Sequence, residues 1–270
     1  MLSIILRSLK DKKMQLLIIT ASAISFLEMY IALFPALQKQ AASMAKLLQN
    51  YPEGFLKTFN IDRSSLTFEK VGQYLAMEQF SFVWPILAIV LAIGFANYAF
   101  AAEKEQGTIE LLLSQPISRA KLFISRYLSG LIGVVAFSAI SILAIFPLAA
   151  LHKVSVQPRG VFVLLGLSLL FAWAIYGIAF WVSVIFSEKS RASFMVGGVL
   201  ILMYVLNILG NLKDSLHAIK YFSFFYYYNP NLAIDKGQVL NGSILVFVAA
   251  IIITFCLGLF WLNRQDLTTS

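Results

Sequence analysis

Long apolar runs alternate with short polar intervals along the whole chain. Six runs stand out, at roughly Met14–Leu37, Phe80–Ala102, Leu122–Leu151, Val161–Ser187, Ala192–Leu212 and Ser243–Asn263. A helix needs about 20 mostly apolar residues to cross the bilayer core, and each run supplies them. None alternates with the period of two that a membrane barrel requires, so an α-helical bundle is the spanning structure left. The expected fold is therefore an all-α membrane protein with six transmembrane helices.

The intervals carry patterns of their own. Residues 1–13 place Leu2, Ile5, Leu6 and Leu9 on one helical face, opposite Arg7, Lys10 and Asp11. That pattern predicts an amphipathic helix lying at the membrane interface. The segment 38–79 is a substantial outer loop, with a turn at Pro52-Glu53-Gly54. The segment 213–242 holds Phe222, Phe224, Phe225, Tyr226, Tyr227 and Tyr228, ahead of Asn229-Pro230. Such rings suit the interface, so this outer segment before the sixth span dips partly back into the bilayer, caps the helix ends, or does both. Ala21-Ser22-Ala23 resembles a cleavage site, but the apolar run continues to Leu37, which points to a retained first span.

Composition agrees with the pattern. Hydrophobic residues make up 60 % of the 270, charged residues only 13 %, and the mean hydropathy is +0.82. A soluble chain of this length needs more surface charge. The net charge of +8 does not indicate nucleic acid as a partner, because the Lys and Arg residues flank the apolar runs. An even number of spans puts both ends on one side. The intervals 1–13, 103–121, 188–191 and 264–270 hold Arg7, Lys10, Lys12, Lys13, Lys104, Arg119, Lys121, Lys189, Arg191 and Arg264 at higher density than the opposite intervals. That bias predicts cytoplasmic termini in a multi-pass plasma-membrane protein embedded in the lipid bilayer.

Chemistry is sparse. No phosphate-binding loop, zinc-binding H-E-x-x-H or nucleophile elbow occurs, and His152 and His217 are isolated in sequence. The chain alone is expected to bind no cofactor or metal and to catalyse nothing. Cys256, the single cysteine, is expected to be a packing residue. Glu28 lies within the first apolar run, where charge is costly and must face protein or water. It is a candidate for a translocation pathway, or a structural carboxyl bonded to a neighbouring helix. Asn97 and Asn207 are weaker pathway candidates, and as interhelical hydrogen-bonding residues they are equally at home.

The interval after the second run is different. Residues 103–126 are charged yet place Ile109, Leu112, Leu113 and Ile117 on one helical face, a pattern suited to docking on another protein. Thr108 can cap a helix start with Glu110 in its first turn, Pro116 ends that helix, and Ser118 can cap the third span. This stretch resembles the membrane subunit of ABC-2 type ATP-binding cassette transporters, whose permeases carry an E-x-x-x-G-T-hydrophobic-E-x-L-L-S-x-P-hydrophobic-S-R block. Here the block is Glu103, Gly107, Thr108, Glu110, Leu112, Leu113, Ser114, Pro116, Ser118 and Arg119. Weaker similarity covers Ser187-Glu188-Lys189-Ser190, Tyr228-Asn229-Pro230 and Asn263-Arg264-Gln265-Asp266-Leu267.

The resemblance implies one ABC-2 type transmembrane domain over 1–270. It implies pairing with a second permease subunit, as a homodimer or with a paralogue, and two copies of a separate cytosolic ATPase that binds ATP and Mg. A cytoplasmic coupling helix between spans 2 and 3 would receive the ATPase. Its contact would comprise Glu103, Glu105, Gly107, Thr108, Ile109, Glu110, Leu112, Leu113, Pro116, Ile117, Ser118 and Arg119. Glu188, Lys189 and Arg191 would form a second cytoplasmic contact. The second and fifth spans would line the path. The implied function is ATP-driven export; the alternative is a membrane sensor or regulatory subunit linked to an ATPase but moving nothing.

Overall fold

The computed structural model describes residues 2–39, 70–107, 118–212 and 214–264. The turn at residues 52–54 and most of the coupling block, Thr108 to Ile117, lie outside the described residues. Among the described residues there is no strand, and six helices are long and apolar enough to cross a membrane. These are α1 (Leu2–Lys39), α2 (Val71–Ala99), α4 (Arg119–Leu151), α5 (Pro158–Ile185), α6 (Lys189–Leu212) and α9 (Ser243–Arg264). A short α3 (Ala101–Glu105) follows α2. A 3-10 turn (Asp214–Phe222), α7 (Phe224–Tyr227) and α8 (Pro230–Lys236) fill the interval before α9.

Two helices begin earlier than the apolar runs do. The interfacial helix expected over residues 1–13 is not a separate element: residues 2–13 are the first turns of α1, which runs unbroken for 38 residues. No Gly or Pro occurs from Leu2 to Phe34, so nothing ends the backbone ladder near Lys13. Ile4 and Leu9 pack on the core, while Leu2 and Leu6 face outward. Likewise α2 starts at Val71, nine residues before its apolar run, and this brings Glu78 into the second span. Within α2, residues Ala76–Val83 are wound as a π-helix. Pro85 follows at once; it has no N–H to donate, which removes a rung of the α-helical ladder.

The most buried of the long helices is α5, and α6 and α9 are the most peripheral. The core is aromatic. Trp84 stacks on Phe137 and on Tyr228, with ring centroids 5.5 and 6.1 Å apart, and its indole N–H donates to Ser141 Oγ at 2.9 Å. Tyr228 also stacks on Phe171 at 4.3 Å and shares a hydrogen bond with Ser168.

Those contacts resolve the aromatic outer segment. Phe171 lies 13 residues into α5, about 20 Å along its axis at 1.5 Å per residue. Phe224, Phe225 and Tyr228 are buried, so the segment descends into the bundle rather than resting on its rim. Irregular backbone at that depth is tolerated only when protein satisfies it. Ser223 Oγ accepts from the Phe225 amide, Asn229 Oδ1 from the Leu232 amide, and Ser243 Oγ donates to the Tyr227 carbonyl. Cys256, expected in the packing, instead lies exposed on the outward side of α9.

Candidate functional site

One end of the bundle gathers α1's first turns, the end of α2, α3, the start of α4, the end of α5 and the start of α6. Helices α2 and α5 end there, and α4 and α6 begin there, as alternating up-and-down spans dictate. The two intervals expected to contact an ATPase meet at this end. Glu105 accepts from the Lys189 amide at 3.1 Å and faces the Lys189 ammonium at 3.9 Å. Glu188 pairs with Arg191 at 2.8 Å, one turn along α6. Both pairs are well exposed.

The chain is held locally on each side of residues 108–117. Gly107 takes φ 68°, a left-handed conformation that favours glycine, and so turns the chain out of α3. On the far side Ser118 caps α4, as its position suggested, by accepting from the Lys121 amide. Arg119 donates to the Leu262 carbonyl at 3.2 Å, binding α4 to the end of α9. Thr108, Ile109, Glu110, Leu112, Leu113, Pro116 and Ile117 lie between these anchors, outside the described residues.

The strongest polar contacts here involve residues that the apolar pattern conceals. Arg126 lies within the third apolar run and is, like Glu28, a charge in a span. Its guanidinium donates to Glu103, and both side chains are largely buried. Burial pushes the Glu103 carboxyl above its ordinary pKa, and the Arg126 charge works against that rise. Tyr98 donates its hydroxyl to Asp11 of α1, 87 residues away. The amide of Ala101 donates to Ser183 Oγ of α5 at 3.2 Å, and the Lys104 ammonium to the Val184 carbonyl.

Lys104 carries a pH dependence. Burial lowers its pKa from 10.5 to about 8. Below pH 8 both the folded and unfolded chains carry the proton, and folding bears the cost of burying the charge. Between about 8 and 10.5 the unfolded chain binds more protons, so stability rises with pH. The melting temperature of the wild type is expected to rise from pH 8 to pH 10, and Lys104→Met to flatten that slope. Equal slopes in the two proteins would refute the assignment.

The candidates within spans divide. Glu28 bonds His152 at 2.7 Å, so the histidine that looked isolated in sequence is its partner near the opposite end of the bundle. His152 also lines a cavity of 390 Å³ there with Lys70, Lys153 and Asp235. Asn97 donates to Ser193 Oγ at 2.6 Å, joining α2 to α6. Asn207 is buried and accepts from Asn211 one turn along the same helix. Between α2 and α6 runs an apolar cleft of about 320 Å³ lined by Phe82, Ile86, Val90, Leu200, Ile201 and Tyr204. Among the described residues no cluster of His, Cys, Asp or Glu could hold a metal ion.

Six membrane-length helices, with no strand among the described residues, define a polytopic α-helical membrane protein. The family model described as ABC-2 family transporter protein matches residues 2–267, nearly the whole chain. The chain belongs to that family, and is thereby a membrane component of an ABC transporter. The family's domain is a membrane subunit that is not itself catalytic, and membership implies partnership with an ABC ATPase subunit. None of the curated proteins matches the chain.

Proposed function

We propose that the chain is the permease subunit of an exporter, driven by a separate cytosolic ATPase that docks at the end where Glu105 meets Lys189. That meeting is the observation carrying the proposal: the interval after the second span and the interval before the fifth, far apart in sequence, present one composite surface. Glu103, Glu105, Gly107, Ser118 and Arg119 frame the coupling block, and Glu188, Lys189 and Arg191 extend the surface. The apolar side chains Ile109, Leu112, Leu113 and Ile117 supply the contact core, in keeping with interfaces that surround an apolar centre with a charged rim.

Two permease copies pair so that their second and fifth spans face a shared path, and the apolar cleft between α2 and α6 supports that placement. Each copy receives one ATPase subunit, which binds ATP and Mg. Both termini and the coupling block lie in the cytoplasm of a plasma-membrane protein, in keeping with the density of Arg and Lys at that end. Glu28, held by His152, is a structural carboxyl of the opposite end.

Two measurements test this reading. The exposed Cys256 is first replaced with serine. An impermeant thiol reagent added to intact cells is then expected to label a cysteine at Asn60 but not one at Gln115; labelling at Gln115 would overturn the orientation. The chain purified from its native membrane is expected to carry a soluble ATPase, and its recovery without one would overturn the coupling.

A further inference from the structure

The buried contacts beside the proposed docking surface form one chain across three spans. Arg126 of α4 donates to Glu103 of α3, and its guanidinium lies 5.5 Å from the Tyr98 ring centroid. The Lys12 ammonium of α1 lies 5.2 Å from the same centroid, so the ring holds two cations. The Tyr98 hydroxyl donates to Asp11, which also faces Arg7 at 4.0 Å. Thus α1 and α4, separated by about 80 residues of sequence, are joined through one tyrosine on α2 and one carboxylate on α3.

Position gives this network its meaning. The Arg126 side chain is 7 % exposed, and a charge held that far from water persists only with its partners in place. Glu103 lies four residues before Gly107, where the chain turns out toward the coupling block. By contrast, the link from Glu105 to Lys189 of α6 is half exposed and screened by solvent. A displacement of α3 is therefore resisted strongly toward α1 and α4, and less toward α6, where the ties are this exposed pair and the Asn97–Ser193 bond from α2.

We infer that Arg126 and Tyr98 are positioning residues: they lock α1, α2 and α4 to α3, so that a push on the coupling block moves these three spans together relative to α6, which is more lightly held at this end by the Asn97–Ser193 bond and the exposed Glu105–Lys189 pair. The inference rests on the function proposed above, because it takes α3 to be the segment the ATPase displaces. Neither residue touches substrate or nucleotide; each acts through Glu103 and Asp11.

The test has two arms, both in a Cys256→Ser background. In the first, spin labels at Ser3 and Gln106 report on the isolated chain in nanodiscs. The wild-type distance distribution is expected to be narrow. Arg126→Met should broaden it, Tyr98→Phe should broaden it less, since the ring and its cations remain, and Arg126→Lys should restore the narrow form. Unchanged distributions in both Arg126→Met and Tyr98→Phe would overturn the lock. Should Arg126→Met fail to fold, Tyr98→Phe, which removes a single oxygen, decides alone.

In the second arm, labels at Ser3 and Arg191 are measured in the complex with its ATPase, before and after trapping with ATP and vanadate. Arg126→Met is expected to keep its ATPase while the trapped shift is at least halved and turnover falls about fivefold or more, the lower range of ordinary coupling between sites. Arg126→Lys is expected to recover both. A full shift with normal turnover in Arg126→Met would overturn the proposal, and so would loss of ATPase capture, which would make Arg126 part of the docking surface. If the wild-type chain captures no ATPase, the proposed function falls, and the first arm still decides the lock.

Discussion

Replacing Leu113 with aspartate is expected to strip the ATPase from the purified complex. In the sequence Leu113 has helical spacing with Ile109, Leu112 and Ile117, and the proposed function puts these four residues against the ATPase. An aspartate there loses an apolar contact and buries an unpaired carboxylate. The second effect dominates: an uncompensated charge at a dry interface costs on the order of 3–5 kcal/mol. At about 1.4 kcal/mol per tenfold, affinity falls by roughly a hundredfold to a few thousandfold. The rest of the fold should be untouched, because the block lies between the fixed points Gly107 and Ser118. Retention of a full complement of ATPase in detergent, with normal turnover, would show that this block is not the coupling element.

Replacing Gly160 with valine is expected to destabilise the fold severely. Gly160 sits in the first turn of α5, where a Cβ would stand 2.0 Å from the Ile234 carbonyl oxygen and 2.8 Å from its carbon. Both are backbone atoms, so no side chain can swing aside; α5 and α8 must part. Helix propensity favours valine over glycine by less than about 1 kcal/mol, whereas forcing packed backbones apart costs about 3 kcal/mol or more. The steric term wins, against a total stability of about 5–15 kcal/mol for an ordinary domain. Gly197→Ala is the control: nothing lies within 4 Å of a Cβ at that position. It should be neutral or stabilising by up to about 1 kcal/mol. Detergent melting curves separate the two, and a wild-type melting temperature for Gly160→Val would refute the close approach.

The spans were legible because bilayer thickness imposes a length on them that composition alone reveals. Their starts were less so. The charged residues Arg7, Lys10 and Asp11 look like the end of a helix in hydropathy, but charge does not stop a backbone ladder; α1 runs through them. Glu78 was hidden for the same reason, because α2 begins before its apolar run does. At the candidate site, Ser118 was readable as a cap since capping is local. The pairs Tyr98–Asp11 and Glu28–His152 were not, since each joins residues about 90 or more positions apart. Arg126 had a readable signal, a lone cation in an apolar run, whose partner only the packing of α4 on α3 supplies.

The first helix also bears on how the protein is made. α1 packs against both α2 and α4, yet α4 begins 80 residues after α1 ends. At about 5–20 residues per second, a ribosome takes several seconds to cover that stretch. Throughout that wait the face of α1 that α4 will cover is open to lipid. Release from the ribosome before α4 is inserted leaves α1 with part of its packing face open to whatever membrane surveillance the cell possesses.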